Sequence, residues 1–424
     1  MLPPRARSRS GSSATTECEV FAMRNSEKIN AEKFGFLPSA SGEENTAALQ
    51  SAIDAYKSVE VTRQGIYDMA GTVRIPSDTH IKFADGVILR RVPLSDSRLE
   101  GNLFINEGAF SGRFNENITL SGAHICVNGV ESAGASPESE NIITGLRGHI
   151  AFLYVKNLTV EDITITDLMK KDYAIQISDF ENVTVQRVHL EGMKDGVHFG
   201  TGRSFVVKDS KFRTFDDAIA INCADYSVSN PNFGSISDGL IENCVELPGY
   251  KTESFFIRIL TGTAREWQEG MTVYHSDAIL TEKGMYRVVM QPDNTPYVSL
   301  TKPDFDFGYK ELDGIMWVRT HLGYSRDEIS AVAGCRNIVC RNITLENPRR
   351  RGVYIHTSFD EYLRSYYKGC EAPTVENLLF DGVKILKPVE HFVSSNMPVK
   401  NLRIINSSVD ESDMIFEPNS QMNN

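Results

Sequence analysis

From about residue 62 onward, short stretches of alternating apolar and polar residues recur along the chain, and many open on an asparagine. They include ENITLSGAHI from Glu116, KNLTVEDITITD from Lys156, ENVTVQRVHLEG from Glu181, RNIVCRNITLEN from Arg336, ENLLFDGVKIL from Glu376 and KNLRIINSSV from Lys400. Aliphatic residues at every second position predict strands, and the Gly, Asn and Asp between them predict turns. Asn157 and Asn182 stand 25 residues apart, and Asn377 and Asn401 stand 24 apart. That period is long for a hairpin repeat and predicts the coils of an all-β parallel β-helix. One coil cannot bury its inward side chains alone, whereas coils stacked about 4.7–4.9 Å apart share a continuous core. Asparagine before each strand tolerates left-handed geometry and can stack in ladders.

The ends and one interruption complete the expected organisation. A short strand is predicted near 33–36, then a helix over 44–56 with Ala48, Leu49, Ala52 and Ile53 on one face. Such a helix can cover the first coil, whose apolar surface and strand edges would otherwise be open. The repeat breaks between about 263 and 333, a segment holding both tryptophans that reads as a small inserted β module. The expected division is therefore 1–27 disordered, 28–262 first part of the β-helix, 263–333 insertion, and 334–424 last part and tail. The opening MLPPRARSRSGSSATTE is rich in Arg and Ser and lacks an apolar h-region, so it does not read as a secretory signal. A cytoplasmic location is the default expectation, and an extracellular one follows if the native start differs, for instance at Met23.

Composition narrows the partners. At 424 residues the chain is longer than one compact core usually supports, which also favours a repeat architecture. No apolar run approaches the length of a membrane span. A net charge of −12 argues against nucleic acid, because phosphate binding needs a basic surface. Seven cysteines show no metal-ligand spacing and are odd in number, so buried thiols are expected, with no metal or cofactor. Oligomeric state is left open.

The candidate chemistry lies in two consecutive coils, MKDGVHFGTGRS from Met193 and TFDDAIAINCAD from Thr214. Written one under the other with an offset of 21, they place Asp195 over Asp216 and Gly196 over Asp217. Carboxylates one coil apart disfavour joint ionisation, so at least one should keep its proton near neutral pH. Glycosidic cleavage pairs such an acid with an ionised base or nucleophile. A single Asp of this kind more often caps a turn or binds calcium; three in register favour catalysis.

At these residues the sequence resembles the polygalacturonase-type, pectin-lyase-like glycoside hydrolases. The resemblance runs through INAEKFGFLPSASGEENTAALQSAID, GIYDMAGTVRIPSD, KDGVHF and, most specifically, FDDAIAIN. It implies a right-handed parallel β-helix and inverting hydrolysis of a uronate-containing or related glycan, with Asp216 as general acid and Asp195 and Asp217 holding the attacking water. Carboxyl groups about 6.5–9.5 Å apart would match that outcome. Two family motifs are altered. KTESFFIRILTG, with Arg258, stands where the family has Gly-His-Gly, and RRRGVYIHTS puts Tyr354 and His356 where it has the Arg and Lys that hold a uronate carboxylate. His198, Arg258, Tyr354 and His356 are the expected substrate-binding residues, with Arg349, Arg350 and Arg351 as a further source of charge. In the insertion, Trp267, Tyr274, Asp277, Tyr286, Pro303, Asp313-Gly314 and Trp317 resemble small chitin-binding-type modules, which implies that Trp267 and Trp317 extend a sugar groove; the same aromatics could form the module's core. The competing expectations are a polysaccharide lyase, using calcium and an Arg or Lys base, and a non-catalytic, phage-tail-like glycan-binding protein.

Overall fold

The computed structural model describes residues 24–95, 101–131, 143–250, 254–346, 351–387 and 389–418. The strand Ile150–Glu161 shows how one coil is made. Ile150, Phe152, Val155, Leu158 and Val160 point into the core, while Tyr154 (φ 60°) and Asn157 (φ 53°) bend the chain between faces. Asp162 (φ 56°) then turns it into Thr164–Leu168 on a third face. The next coil lies parallel, with Ile150 opposite Ile175 and Val155 opposite Phe180. Coils of this kind build a bent nineteen-stranded sheet and a nine-stranded sheet, and the fold is a right-handed parallel β-helix. The main apolar core runs from Ile29 to Ile404. Burial of each aliphatic side chain in it contributes about 1.5–3 kcal/mol, which no isolated coil could obtain.

The asparagines that open the strands do the turning. Asn117, Asn157, Asn182, Asn337, Asn377 and Asn401 all have φ between 53° and 59°. Their amides also bond coil to coil: Asn157 donates to Asn117 (3.1 Å), Asn182 to Asn157 (2.8 Å), Asn377 to Asn337 (2.9 Å) and Asn401 to Asn377 (3.0 Å). Ser204 and Asp238 occupy the turn between the two runs, also at positive φ. Asp238 accepts from Asn337 at 2.8 Å.

The helix Gly42–Ala55 covers the first coil with Ala48, Leu49, Ala52 and Ile53 buried, and Ser41 and Glu44 form a capping box at its start. Two N-terminal expectations are corrected. Residues 33–36 are not a strand, because Asn30 caps a 3₁₀ turn over Ala31–Phe34 and Gly35 (φ 93°) ends it. Order also begins before 28, since Asn25–Asn30 is already a strand paired with Tyr56–Val61. Residues 1–23, with Cys18, lie outside the described residues. Cys223, Cys244, Cys335 and Cys340 are buried thiols, whereas Cys126 and Cys370 are partly exposed.

The insertion leaves the β-helix through an antiparallel pair, Gly262–Thr263 against Val332–Ala333. Between them stands a five-stranded sheet with its own core of Val273, Ile279, Tyr286, Val288, Ile315 and Trp317. No helix among the described residues is long and apolar enough to cross a membrane.

Candidate active site

Four strands on one face set the floor of the site: Val197–Phe199, Ile219–Asn222, Ile257–Leu260 and Arg351–His356. Their alternation sends Val197, Phe199, Ile219, Ile221, Ile257, Ile259, Val353 and Ile355 into the core. The residues between them, His198, Ala220, Arg258 and Tyr354, therefore stack in one outward column. The carboxylates sit where the chain enters these strands.

The observed register differs from the expected one by a residue. Val197 pairs with Ile219, an offset of 22, which continues back to place Asp195 beside Asp217 and Gly196 beside Ala218. The core-facing side chains decide this, since an offset of 21 would turn one strand's apolar face outward. Gly196 is required by the close stacking: a Cβ there would lie 2.7 Å from the Ala218 carbonyl oxygen and 2.8 Å from the Phe212 ring. Asp216, one residue earlier, is displaced toward solvent, yet the three carboxylates still converge. One oxygen from each lies within 4.8 Å of the others.

Their surroundings set the three apart. Asp217 is 1% exposed, accepts from the Phe255 backbone N–H at 3.0 Å, and lies 3.8 Å from the Arg258 guanidinium. Burial, then the charges of Asp216 and Asp195, push its carboxyl up to about 8, against the pull of Arg258. Asp216 has the opposite balance: burial would raise it, but Lys194, Arg258 and the Ser254 hydroxyl at 3.1 Å hold it below the usual carboxylate range. The Lys194 ammonium pairs with Asp216 and lies 3.9 Å from Asp195. Asp195 accepts from His198 Nδ1 at 2.8 Å, and the other ring nitrogen faces Asp225 at 3.2 Å. His198, stacked on Tyr173 at 4.1 Å, is held above its ordinary pKa by Asp195 and Asp225 despite full burial. The same contact with His198, with Asn222 donating at 2.7 Å, holds Asp225 well below the usual range even though burial opposes it. The proton of the resting cluster therefore belongs on Asp217, whereas the resemblance implies an acidic Asp216.

The other expected residues divide. Arg258 lies in the column and donates through Nε to His356 Nε2 at 3.0 Å. His356 is buried and stacks on Tyr354 at 4.2 Å, and Tyr354 packs on Phe255 at 4.8 Å. Trp317 is corrected: it is fully buried in the module's core and offers no face to a sugar. Trp267 is half-buried and lines a separate cavity of 660 Å³ in the module with Glu266, Glu282, Lys302 and Arg326. Arg349 and Arg350 lie outside the described residues; Arg351 pairs with Glu417 at 3.1 Å. Sequence reasoning missed Lys194 and Asp225. Lys194 had a signal in standing directly before Asp195, whereas Asp225 lies in a loop without periodicity.

No protein-family model matches the sequence, and no curated protein matches it. Solved structures do. The polygalacturonase from Erwinia carotovora ssp. carotovora superposes over 99% of this chain and 99% of its own, with a TM-score of 0.50 and 11% identity. The N-terminal fragment of bacteriophage Phi29 gene product 12 aligns over 89% of this chain and 57% of that fragment, with a TM-score of 0.51 and 13% identity. At such identities the likeness establishes the polygalacturonase-type, pectin-lyase-like fold.

Proposed function

We propose that the chain is a glycoside hydrolase that cleaves a polysaccharide or oligosaccharide at Asp195, Asp216 and Asp217. The division of protons within the cluster carries this reading: Asp217 keeps its proton up to about pH 8, beside an Asp216 held ionised by Lys194. Hydrolysis of a glycosidic bond uses both states at once. Asp216 has the most accessible side chain of the three, 27% exposed, and is where a substrate would meet the pair. In the proposed step the stored proton passes to the glycosidic oxygen as its bond to the anomeric carbon breaks. A water oxygen bonds that carbon, and the proton this water loses returns to the carboxylate pair.

Inversion, which the resemblance implies, requires the water to attack the anomeric carbon from the side opposite the departing oxygen. Proton NMR of the first anomer released tests this, and a retained anomer would overturn inversion while leaving hydrolysis in place.

A lyase would need a neutral Lys or Arg to take a proton from carbon. Lys194 is held above its ordinary pKa by Asp195 and Asp216, and Arg258 by Asp217 and Asp225, in both cases against the effect of burial. Neither is poised as a base. The test is product analysis on pectic, uronate and neutral glycans with wild type, Asp216→Asn and Asp217→Asn. New reducing ends that either substitution abolishes support the proposal. Unsaturated uronate products that need calcium would replace it with a lyase, and glycan binding without turnover would replace it with a binding protein.

A further inference from the structure

We propose, resting on the hydrolase reading above, that the sugar unit held over the carboxylate cluster is neutral, and that Tyr354, backed by the buried His356 and flanked by Phe255, sets this preference by offering a stacking surface in place of charge. Two independent features of the floor point there.

The first is that its cations are already engaged. Lys194 pairs with Asp216 and approaches Asp195, and His198 lies between Asp195 and Asp225. Arg258 faces Asp217 at 3.8 Å and spends its Nε–H on His356, and Arg351 pairs with Glu417. Asp195, Asp216 and Asp225 thus face three cationic side chains, Lys194, His198 and Arg258, with the protonated Asp217 among them, and the floor carries no excess of positive charge. A uronate carboxylate would have to draw Lys194 away from Asp216 and would stand beside Asp216 and Asp195 once there. Repulsion of this kind is how a site rejects a competing ligand.

The second is the surface beyond Arg258. His356 accepts a hydrogen bond at Nε2, so that nitrogen carries no proton and the ring is neutral; burial and the Arg258 charge also push its pKa well down. Tyr354, stacked between His356 and Phe255, is half-buried, as is Phe255, and Phe215 at the edge of the cluster is 41% exposed. Aromatic faces of this sort suit the C–H face of a neutral pyranose.

The experiment compares kcat/KM on neutral galactan, xylan and rhamnan oligosaccharides with that on oligogalacturonate of equal length. A neutral substrate preferred by roughly tenfold or more is expected. Oligogalacturonate turned over as fast or faster, with the activity lost in Asp216→Asn, would overturn the neutral assignment and leave the hydrolase reading intact. Asp216→Asn supplies the second arm, because it frees Lys194: calorimetry should show oligogalacturonate binding this variant more tightly than wild type, in a salt-dependent way. Equal affinity for both proteins would remove the charge argument. If no glycan is turned over, the hydrolase reading fails, and wild-type binding decides the inference: tighter binding of neutral oligosaccharide upholds it, while tighter binding of oligogalacturonate, or of neither, overturns it.

Discussion

Replacing Asp217 by Asn should abolish turnover and stabilise the protein, by an amount that grows with pH. A carboxyl whose folded-state pKa is raised binds a proton in the folded chain that the unfolded chain has released, so folding stability falls as pH rises through that interval. For Asp217 the interval runs from the ordinary 3.8 to about 8. With each unit equivalent to about 1.4 kcal/mol, the carboxyl costs about 3 kcal/mol at about pH 6 and about 5 kcal/mol at about pH 8. Asparagine keeps the oxygen that accepts from the Phe255 N–H, cannot ionise, and escapes the cost. His198 and Asp179, whose pKa values are also raised, drive wild-type stability in the same direction, so the difference between variant and wild type isolates Asp217. Urea unfolding of both proteins at about pH 6 and about pH 8, with m unchanged, measures it. The stability gap in favour of Asp217→Asn should widen by about 2 kcal/mol between the two. A gap that is constant, or that narrows, would refute a buried protonated Asp217 and with it the proposed proton store.

Lys194→Met should raise the pKa of Asp216 by removing its ammonium partner, moving the acidic limb of the pH–rate profile upward; an unmoved limb would show that Lys194 does not tune the cluster. Trp317→Ala should cost about 3–5 kcal/mol within the inserted module, seen as loss of amide protection over 271–319 while the β-helix stays protected. Asn157→Ala removes a bond to Asn117 and one from Asn182 and puts alanine at φ 53°, so a loss of about 1–3 kcal/mol is expected, with Asn157→Gly recovering the backbone share; equal losses for both would place the effect in the side-chain ladder alone.

The fold was legible because its demands are local and repeated. Each coil must turn at a left-handed corner and then alternate, and Asn157, Asn182, Asn377 and Asn401 announce both requirements at the period of the coil. Where local rules compete, the reading failed. Lys33–Phe34 looks like strand, but Asn30 upstream and Gly35 downstream make a capped turn there cheaper than an extended segment. Trp317 looks like a sugar platform, but a small module must bury its largest side chains to hold together at all.

The site illustrates the same division at closer range. Matching Asp195 to Asp216 follows the similarity of two short motifs, whereas the chain obeys the core: Val197 must lie on Ile219, and that single residue of slip brings Asp217 onto Asp195 and sends Asp216 outward. The protonation pattern follows from the slip. The carboxyl beneath is buried against two others and keeps its proton, while the outer one meets Lys194 and loses it. Motif similarity could therefore nominate all three aspartates, but their roles depend on which of them the packing of aliphatic side chains drives inward. Asp225, which fixes the charge on His198 from a separate loop, belongs to the part of the site that sequence spacing does not encode.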